Sequence, residues 1–406
     1  MTKKNKKTKK YTSKKIILDR SKWPIVAICY DFDKTLSPKN MQEYSFIPDL
    51  GMNETEFWGQ NGKFSKENKV DQILSYMYMM IRKSEKGGDT FNNTITKTDL
   101  NKYGKSIELF PGVTTWFSQI EKIADGLCIK IEHYIISAGI KEMIEGSSIA
   151  TKFEHIYASS FVFDKKFKYA IWPSQVINGT NKTQFIFRIN KGCLNEIDEE
   201  GLNKSMAQEQ RRIPFSHMIY IGDSETDIPC MTVVKRNGGY SIGVYNPEDI
   251  TKGKSFELLR DNRINFFAPA DYRKDKDLFT IVQLIFKKIF YEDKIGNVQQ
   301  IQGKEVTEYF DMTKFNTVIL MLNIKEAMDL KNMNELDGIL SGKLENLYLE
   351  GAKFRLYKMA TFSENYNHML LNIFKEKYSD LFNEALQVLG KEKLKDERQS
   401  DCYLPD

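Results

Sequence analysis

Apolar residues come in two rhythms along this chain, and their alternation predicts most of the architecture. Pro24 to Tyr30 is a continuous apolar run, and "HYIIS" (His133 to Ser137), "HMIYIG" (His217 to Gly222) and "YSIGVY" (Tyr240 to Tyr245) repeat the pattern. Unbroken runs of this length read as strands buried on both faces, as in a parallel sheet covered by helices. Val113, Trp116, Phe117, Ile120 and Ile123 instead fall on one helical face, after the "FPG" at Phe110 to Gly112. Strands alternating with helices predict an α/β, Rossmann-like parallel sheet flanked by helices, over residues 23–39 and 109–290.

Three further segments are predicted around that core. Residues 40–108 are too long for one crossover; Val70, Ile73, Leu74, Met77 and Ile81 lie at helical spacing, with Ser65 placed to cap the start and Gly87 the end. This reads as a small helical insertion. A second insertion, about 152–191, reads as an antiparallel hairpin: "SSFVFDKKFKYAIWP" and "TQFIFRIN" are rich in strand-forming residues, and "NGTN" (Asn178 to Asn181) is a turn signal. From residue 291 the chain reads as a helical extension that begins with the polar, loop-like "DKIGNVQQIQGKE". Leu336, Leu340, Leu344 and Leu347 mark one of its helices, and Leu370, Ile373, Phe374, Tyr378, Leu381, Phe382, Ala385 and Leu389 a second, stopped by Gly390.

Charge changes this picture at one end. The 406 residues carry a net +5, but residues 1–22 alone hold nine lysines and one arginine against one aspartate, so the rest of the chain is near −4. The opening segment therefore reads as a solvated, disordered basic tail, with an electrostatic tether to nucleic acid as the sharper alternative. No apolar run approaches the roughly 18–20 residues of a membrane span, so no membrane partner is expected. Five widely spaced cysteines without a CxxC pair fit reduced thiols in a cytoplasm, and the four histidines never sit at metal-ligand spacing.

The chemistry is concentrated where strands end. "DFDKT" (Asp31 to Thr35), "IISAG" (Ile135 to Gly139) and "IGDSETD" (Ile221 to Asp227) each follow an apolar strand. In a parallel sheet the carboxyl ends of the strands share one edge, where ligands bind. Asp31, Asp33, Asp223 and Asp227 are then expected to converge, and four carboxylates cannot stay ionised together without a cation. Oxygen ligands of this kind suit Mg²⁺. A carboxylate can also attack phosphorus, its neighbour two residues on can supply a proton, and Ser137 with the following N–H groups, beginning at Ala138, offers an anion site.

These fragments, in this order, resemble the haloacid dehalogenase superfamily of phosphotransferases over about residues 24–290. DxDx[TV] is matched by Asp31, Asp33 and Thr35, the strand-terminal serine by Ser137, and GDxxxD by Gly222, Asp223 and Asp227. The resemblance implies that Asp31 is the nucleophile and a Mg²⁺ ligand, and that Asp33 is the general acid/base and offers its backbone carbonyl to the metal. It likewise implies that Asp223 is a direct ligand and Asp227 one acting through water. Thr35 and Gly222 would support the loops, and Ser137, Ala138 and a lysine would hold the phosphoryl group. For the lysine, Lys191, followed by Gly192, fits the phosphoserine-phosphatase-like branch better than Lys182, although the link from Lys191 to Asp223 is long. The insertion at 40–108 occupies the place of that branch's helical cap. The expected activity is Mg²⁺-dependent hydrolysis of a small phosphorylated metabolite through an aspartyl-phosphate. The alternatives are a phosphatase acting on a nucleic-acid end or phosphoprotein, recruited by the tail and C-terminal helices, and a catalytically silent phosphate- or partner-binding module.

Overall fold

In the computed structural model, residues 20, 23–84, 95–249 and 253–329 are described. The basic segment 1–22 (Arg20 apart), Gly87 and the leucine-marked helices expected beyond residue 330 lie outside them. Among the described residues the strands are β1 (Ile25–Tyr30), β2 (Lys130–Ile140), β3 (His155–Phe163), β4 (Ala170–Gln175), β5 (Met218–Gly222), β6 (Tyr240–Tyr245) and β7 (Phe266–Pro269). They form one seven-stranded sheet in the order β4-β3-β2-β1-β5-β6-β7. Every neighbouring pair is parallel except β3 and β4. The expected α/β, Rossmann-like sheet is therefore the observed fold.

The helices are α1 (Phe46–Asp49), α2 (Glu54–Asn68), α3 (Gln72–Ser84), α4 (Lys97–Gly104), α5 (Val113–Gly126), α6 (Lys141–Gly146), α7 (Thr183–Lys191), α8 (Glu199–Asn203), α9 (Ile228–Arg236), α10 (Gly253–Arg260) and α11 (Asp277–Asp329). Strand periodicity divides the core between the two faces of the sheet. Val26, Ile28 and Tyr30 of β1 face one side, with α5 and the start of α11. Ala27 and Cys29 face the other, with α7 and α9. Covering both faces explains why these strands read as unbroken apolar runs, each buried large side chain contributing about 1.5–3 kcal/mol. One polar chain crosses the first face: Trp116 Nε1 donates to Tyr30 Oη at 2.8 Å, and that oxygen lies 3.0 Å from His133 Nδ1.

Three boundaries differ from expectation. The helix expected to start at Ser65 is two helices: α2 ends at Lys69 in the left-handed region (φ 53°), and Asp71 caps α3 by accepting from the N–H groups of Ile73 and Leu74. Ser65 lies inside α2 and donates to the Val70 carbonyl. The hairpin exists, but it is β3 and β4; "TQFIFRIN" is α7. Its Phe185, Ile186 and Ile189 lie at helical spacing and are buried against the sheet, which outweighs their strand propensity. The third is "DKIGNVQQIQGKE", which lies within α11 rather than in a loop. It contains no proline, and Gly296 and Gly303 each cost only about 1 kcal/mol relative to alanine.

The insertion after β1 does not build a core of its own. Phe46, Phe57, Tyr76, Met77 and Leu100 join the same apolar cluster as Ile28 and Trp116. The chain divides into two units, Met1–Asp293 and Lys294–Asp406, and the sheet and all residues of the site belong to the first.

Candidate active site

Register brings the fragments together. Tyr30 pairs with Ile135 of β2 and Ile221 of β5, and the Asp31 N–H donates to the Ile221 carbonyl at 3.0 Å. Asp31 is thereby set beside Gly222–Asp223, and Ser137, paired with Ala158 of β3, lies near the end of β2 on its other side. The chain then turns sharply. The Phe32 carbonyl accepts from the N–H groups of Thr35, Leu36 and Ser37, and Lys34 takes a left-handed conformation (φ 58°). A left-handed lysine is uncommon, and here it folds Thr35 back toward β5, where its Oγ1 donates to Asp223 Oδ1 at 3.1 Å. Thr35 is held from behind as well, since Tyr272 Oη donates to its carbonyl at 2.8 Å.

A buried lysine organises the charges. Lys182 Nζ lies 2.8 Å from Asp227 Oδ1 and 3.2 Å from Asp31 Oδ1, with no solvent exposure. Burial alone would lower the lysine pKa, but Asp227 and Asp31 outweigh it and raise it. Asp227 is saturated: Oδ1 also accepts from Tyr220 Oη at 2.7 Å, and Oδ2 accepts from the N–H and hydroxyl of Ser224. Gly222 makes room for this carboxylate, because a Cβ there would stand 2.7 Å from Asp227 Cγ. Asp31 is not saturated. Its Oδ1 is buried and, although within ion-pair range of Lys182, receives no hydrogen bond. Burial, then the Asp227 charge, pushes Asp31 up to about 6 against the pull of Lys182. Asp223 is likewise raised well above the usual carboxylate range by burial and by Asp227 and Asp31.

Asp31, Asp223 and Asp227 each present an oxygen, all within 4.8 Å of one another. An orphaned buried carboxylate oxygen beside a second crowded carboxylate fits a hard divalent cation, whereas Asp227, with both oxygens already engaged, does not fit a direct ligand.

Asp33 faces the same space. The Met41 N–H donates to its Oδ1 at 2.9 Å, and burial followed by the Asp31 charge holds its carboxyl well above the ordinary range. Ser137 is buried, and its Oγ accepts from the Gly139 N–H. The Ile140 N–H meets Met41 Sδ, and Ala138 offers its carbonyl to Tyr76 Oη at 2.6 Å. The end of β2 is therefore held in place by α3 and by the segment following Asp33. An open cleft of about 710 Å³ adjoins this segment, lined by Glu43, Ile47, Pro48, Met52, Asn53 and Glu54. The charge of Glu43 is among those that raise Asp33.

Lys182, not Lys191, is brought to the carboxylates. Lys191 Nζ donates to the carbonyls of Leu202 and Lys204, and it braces the long link to β5 together with Arg188, which donates to the carbonyls of Asn195, Glu196 and Asp198. The reason is geometric. Once "TQFIFRIN" is a helix, nine residues at 1.5 Å rise put its ends about 13 Å apart, so only one end can reach the sheet edge. The available signal was the "NGTN" turn, which delivers Lys182 directly from an edge connection. Asn178 also donates through Nδ2 to Asp71 Oδ2 at 3.1 Å, tying that turn to the cap of α3. Tyr220, Tyr272, Tyr76 and Met41 carried no motif signal.

No protein-family model matches the chain. An uncharacterized protein of Borreliella burgdorferi is 28% identical over 277 residues, which cover 63% of this chain and 94% of that protein. Among solved structures, a HAD family hydrolase from Salmonella enterica serovar Typhi is similar with a TM-score of 0.42 and 16% identity, over 65% of this chain and 72% of its own. A probable phosphoserine phosphatase from Vibrio cholerae gives a TM-score of 0.41 and 11% identity over 68% of each chain.

Proposed function

We propose that the protein is a Mg²⁺-dependent phosphomonoester hydrolase of the haloacid dehalogenase superfamily, acting on a small phosphorylated metabolite. The observation that carries the reading is the arrangement of Lys182 between Asp31 and Asp227 at the strand-end edge, with Asp223 beside them. Asp33 adds a carboxyl whose pKa burial and the Asp31 charge raise, which suits a proton donor. An oxygen of Asp31 attacks phosphorus while the ester oxygen departs with the Asp33 proton, giving an aspartyl-phosphate and a free alcohol. Asp33, now a carboxylate, takes a proton from water; the water oxygen attacks phosphorus, and inorganic phosphate leaves Asp31. Lys182 and Ser137 hold the phosphoryl oxygens, and Lys182 limits the repulsion as charge builds on them. Mg²⁺ would be held by Asp31, Asp223 and the Asp33 carbonyl, with Asp227 through water, and would neutralise phosphoryl charge. Free thiols at Cys29, Cys128, Cys193 and Cys230 fit a reducing compartment, and the reading places the enzyme in the cytoplasm.

The test is phosphate release from a panel of phosphomonoesters, with and without Mg²⁺. Turnover that needs the metal and falls at least about 100-fold in both Asp31→Asn and Asp33→Asn is expected. Turnover that survives Asp31→Asn would sink the aspartyl-phosphate mechanism.

A further inference from the structure

The turn of the β3–β4 hairpin exposes large apolar side chains that no function so far has used. Val162, Phe167, Ile171 and Trp172 are 40%, 59%, 45% and 63% exposed, although they lie within eleven residues of one another. Val162 and Trp172 are register partners, so they stand side by side on one face of the hairpin. The hairpin itself is anchored: Phe161 and Ala170 are buried, and the Ala170 N–H donates to the Ile95 carbonyl. Lys165, Lys166 and Lys168 surround the apolar group and are exposed. The acid among them, Asp164, turns its Oδ1 inward to accept from the N–H groups of Lys166 and Phe167. The surface thus offers apolar side chains rimmed by ammonium groups.

We propose that this hairpin docks on an anionic lipid bilayer. Apolar side chains entering the interface with lysines at headgroup level is the arrangement by which proteins associate with such surfaces. A single-stranded nucleic acid would instead ask for open aromatic faces. Val162 and Ile171 have none, and the Phe167 ring is already engaged by Lys166 Nζ at 4.9 Å and the Tyr169 ring at 5.9 Å, which leaves Trp172 as the one aromatic face of the four, too few for a stacking platform. Placement favours a surface contact too. β4 is the outermost strand, and β3 runs four residues past Ser159, the partner of Ile140. At about 3.3 Å per residue the hairpin projects about 13 Å beyond the sheet edge that carries the candidate site. The absence of any apolar run of spanning length led to the expectation of no membrane partner. No helix of the described residues is long and apolar enough to cross a bilayer, and a peripheral contact requires none.

The test is co-sedimentation of the full chain with vesicles of phosphatidylcholine containing 30% phosphatidylglycerol, beside pure phosphatidylcholine vesicles. The variant is Phe167→Ser/Trp172→Ser, which keeps every lysine, including those of residues 1–22. Binding that needs the anionic lipid and weakens tenfold or more in the variant is expected, with the thermal unfolding midpoint unchanged. Equal binding of both proteins would overturn the proposal by assigning the attraction to charge elsewhere. So would no binding to either vesicle, or a variant defect seen only with a single-stranded oligonucleotide. Vesicle binding is read without turnover, so this result stands apart from the phosphatase reading.

Discussion

Replacing Lys182 by methionine keeps most of the side-chain volume and removes the cation between Asp31 and Asp227. Both contacts are buried, at 3.2 and 2.8 Å, so the variant leaves carboxylates uncompensated in the interior. Breaking one side of a buried pair costs about 3–5 kcal/mol. At about 2–4 °C per kcal/mol, the unfolding midpoint should fall by about 6–20 °C. The sign with pH is distinctive. Asp31 already sits at about 6, above the unfolded value near 3.9, and losing Lys182 raises it further. A carboxyl with a raised folded pKa binds more protons folded than unfolded, so stability falls as pH rises through that window. The deficit of Lys182→Met against the parent should thus be small at pH 4–5 and full near pH 8. Urea unfolding at both pH values measures it. A deficit equal at the two, or below about 1 kcal/mol at pH 8, would refute the claim that Lys182 neutralises the cluster. Lys191→Met is the control: it loses hydrogen bonds to two carbonyls, worth about 1–3 kcal/mol, with no such pH dependence and with phosphate release retained.

Three more outcomes follow from the same geometry. Gly112→Ala should destabilise the protein by about 2 kcal/mol or more by calorimetry, because Gly112 is at φ +87° and a Cβ would stand 2.4 Å from the Arg273 nitrogen. Burial would raise the Glu132 pKa, but the guanidinium of Arg212 at 2.6 and 2.7 Å, with donors from Tyr134 and Lys130, holds it down to about 2. Its stabilisation is complete above about pH 4.5 and lost as pH falls toward 2, so Glu132→Gln should flatten the acid limb of the midpoint-against-pH curve; an unaltered limb would count against the pairing. Tyr272→Phe should cost about 1–3 kcal/mol by urea unfolding and lower kcat for phosphate release with KM unchanged, since it frees the Thr35 carbonyl without touching a ligand.

The parallel strands were legible because burial on both faces leaves no polar positions to interrupt the runs. Asp31, Asp33, Asp223 and Asp227 were legible because each follows such a strand within six residues, and Ser137 because it closes the apolar run of β2. Lys182 was not, since the choice against Lys191 turned on whether "TQFIFRIN" was strand or helix, and its phenylalanines and isoleucines suit both. The link from α7 to β5 concealed the answer: its length is a departure at a motif lysine, but Arg188 and Lys191 brace it by binding carbonyls. Tyr272 meets Thr35 across 237 residues and Tyr76 meets Ala138 across 62, and no local pattern encodes contacts of that separation.

Asp71 divides its two oxygens between capping α3 and holding the turn that delivers Lys182, and five residues later Tyr76 grips the carbonyl that follows Ser137. Helix α3 is thus a tie-beam between the turn and the strand end that flank the carboxylates. Shearing it would break both ties, at about 1 kcal/mol each, and pull Met77 and Met80 from the core they share with the sheet. Displacing α3 would therefore disturb the Lys182 turn and the end of β2 together, so the two sides of the carboxylate cluster share one support.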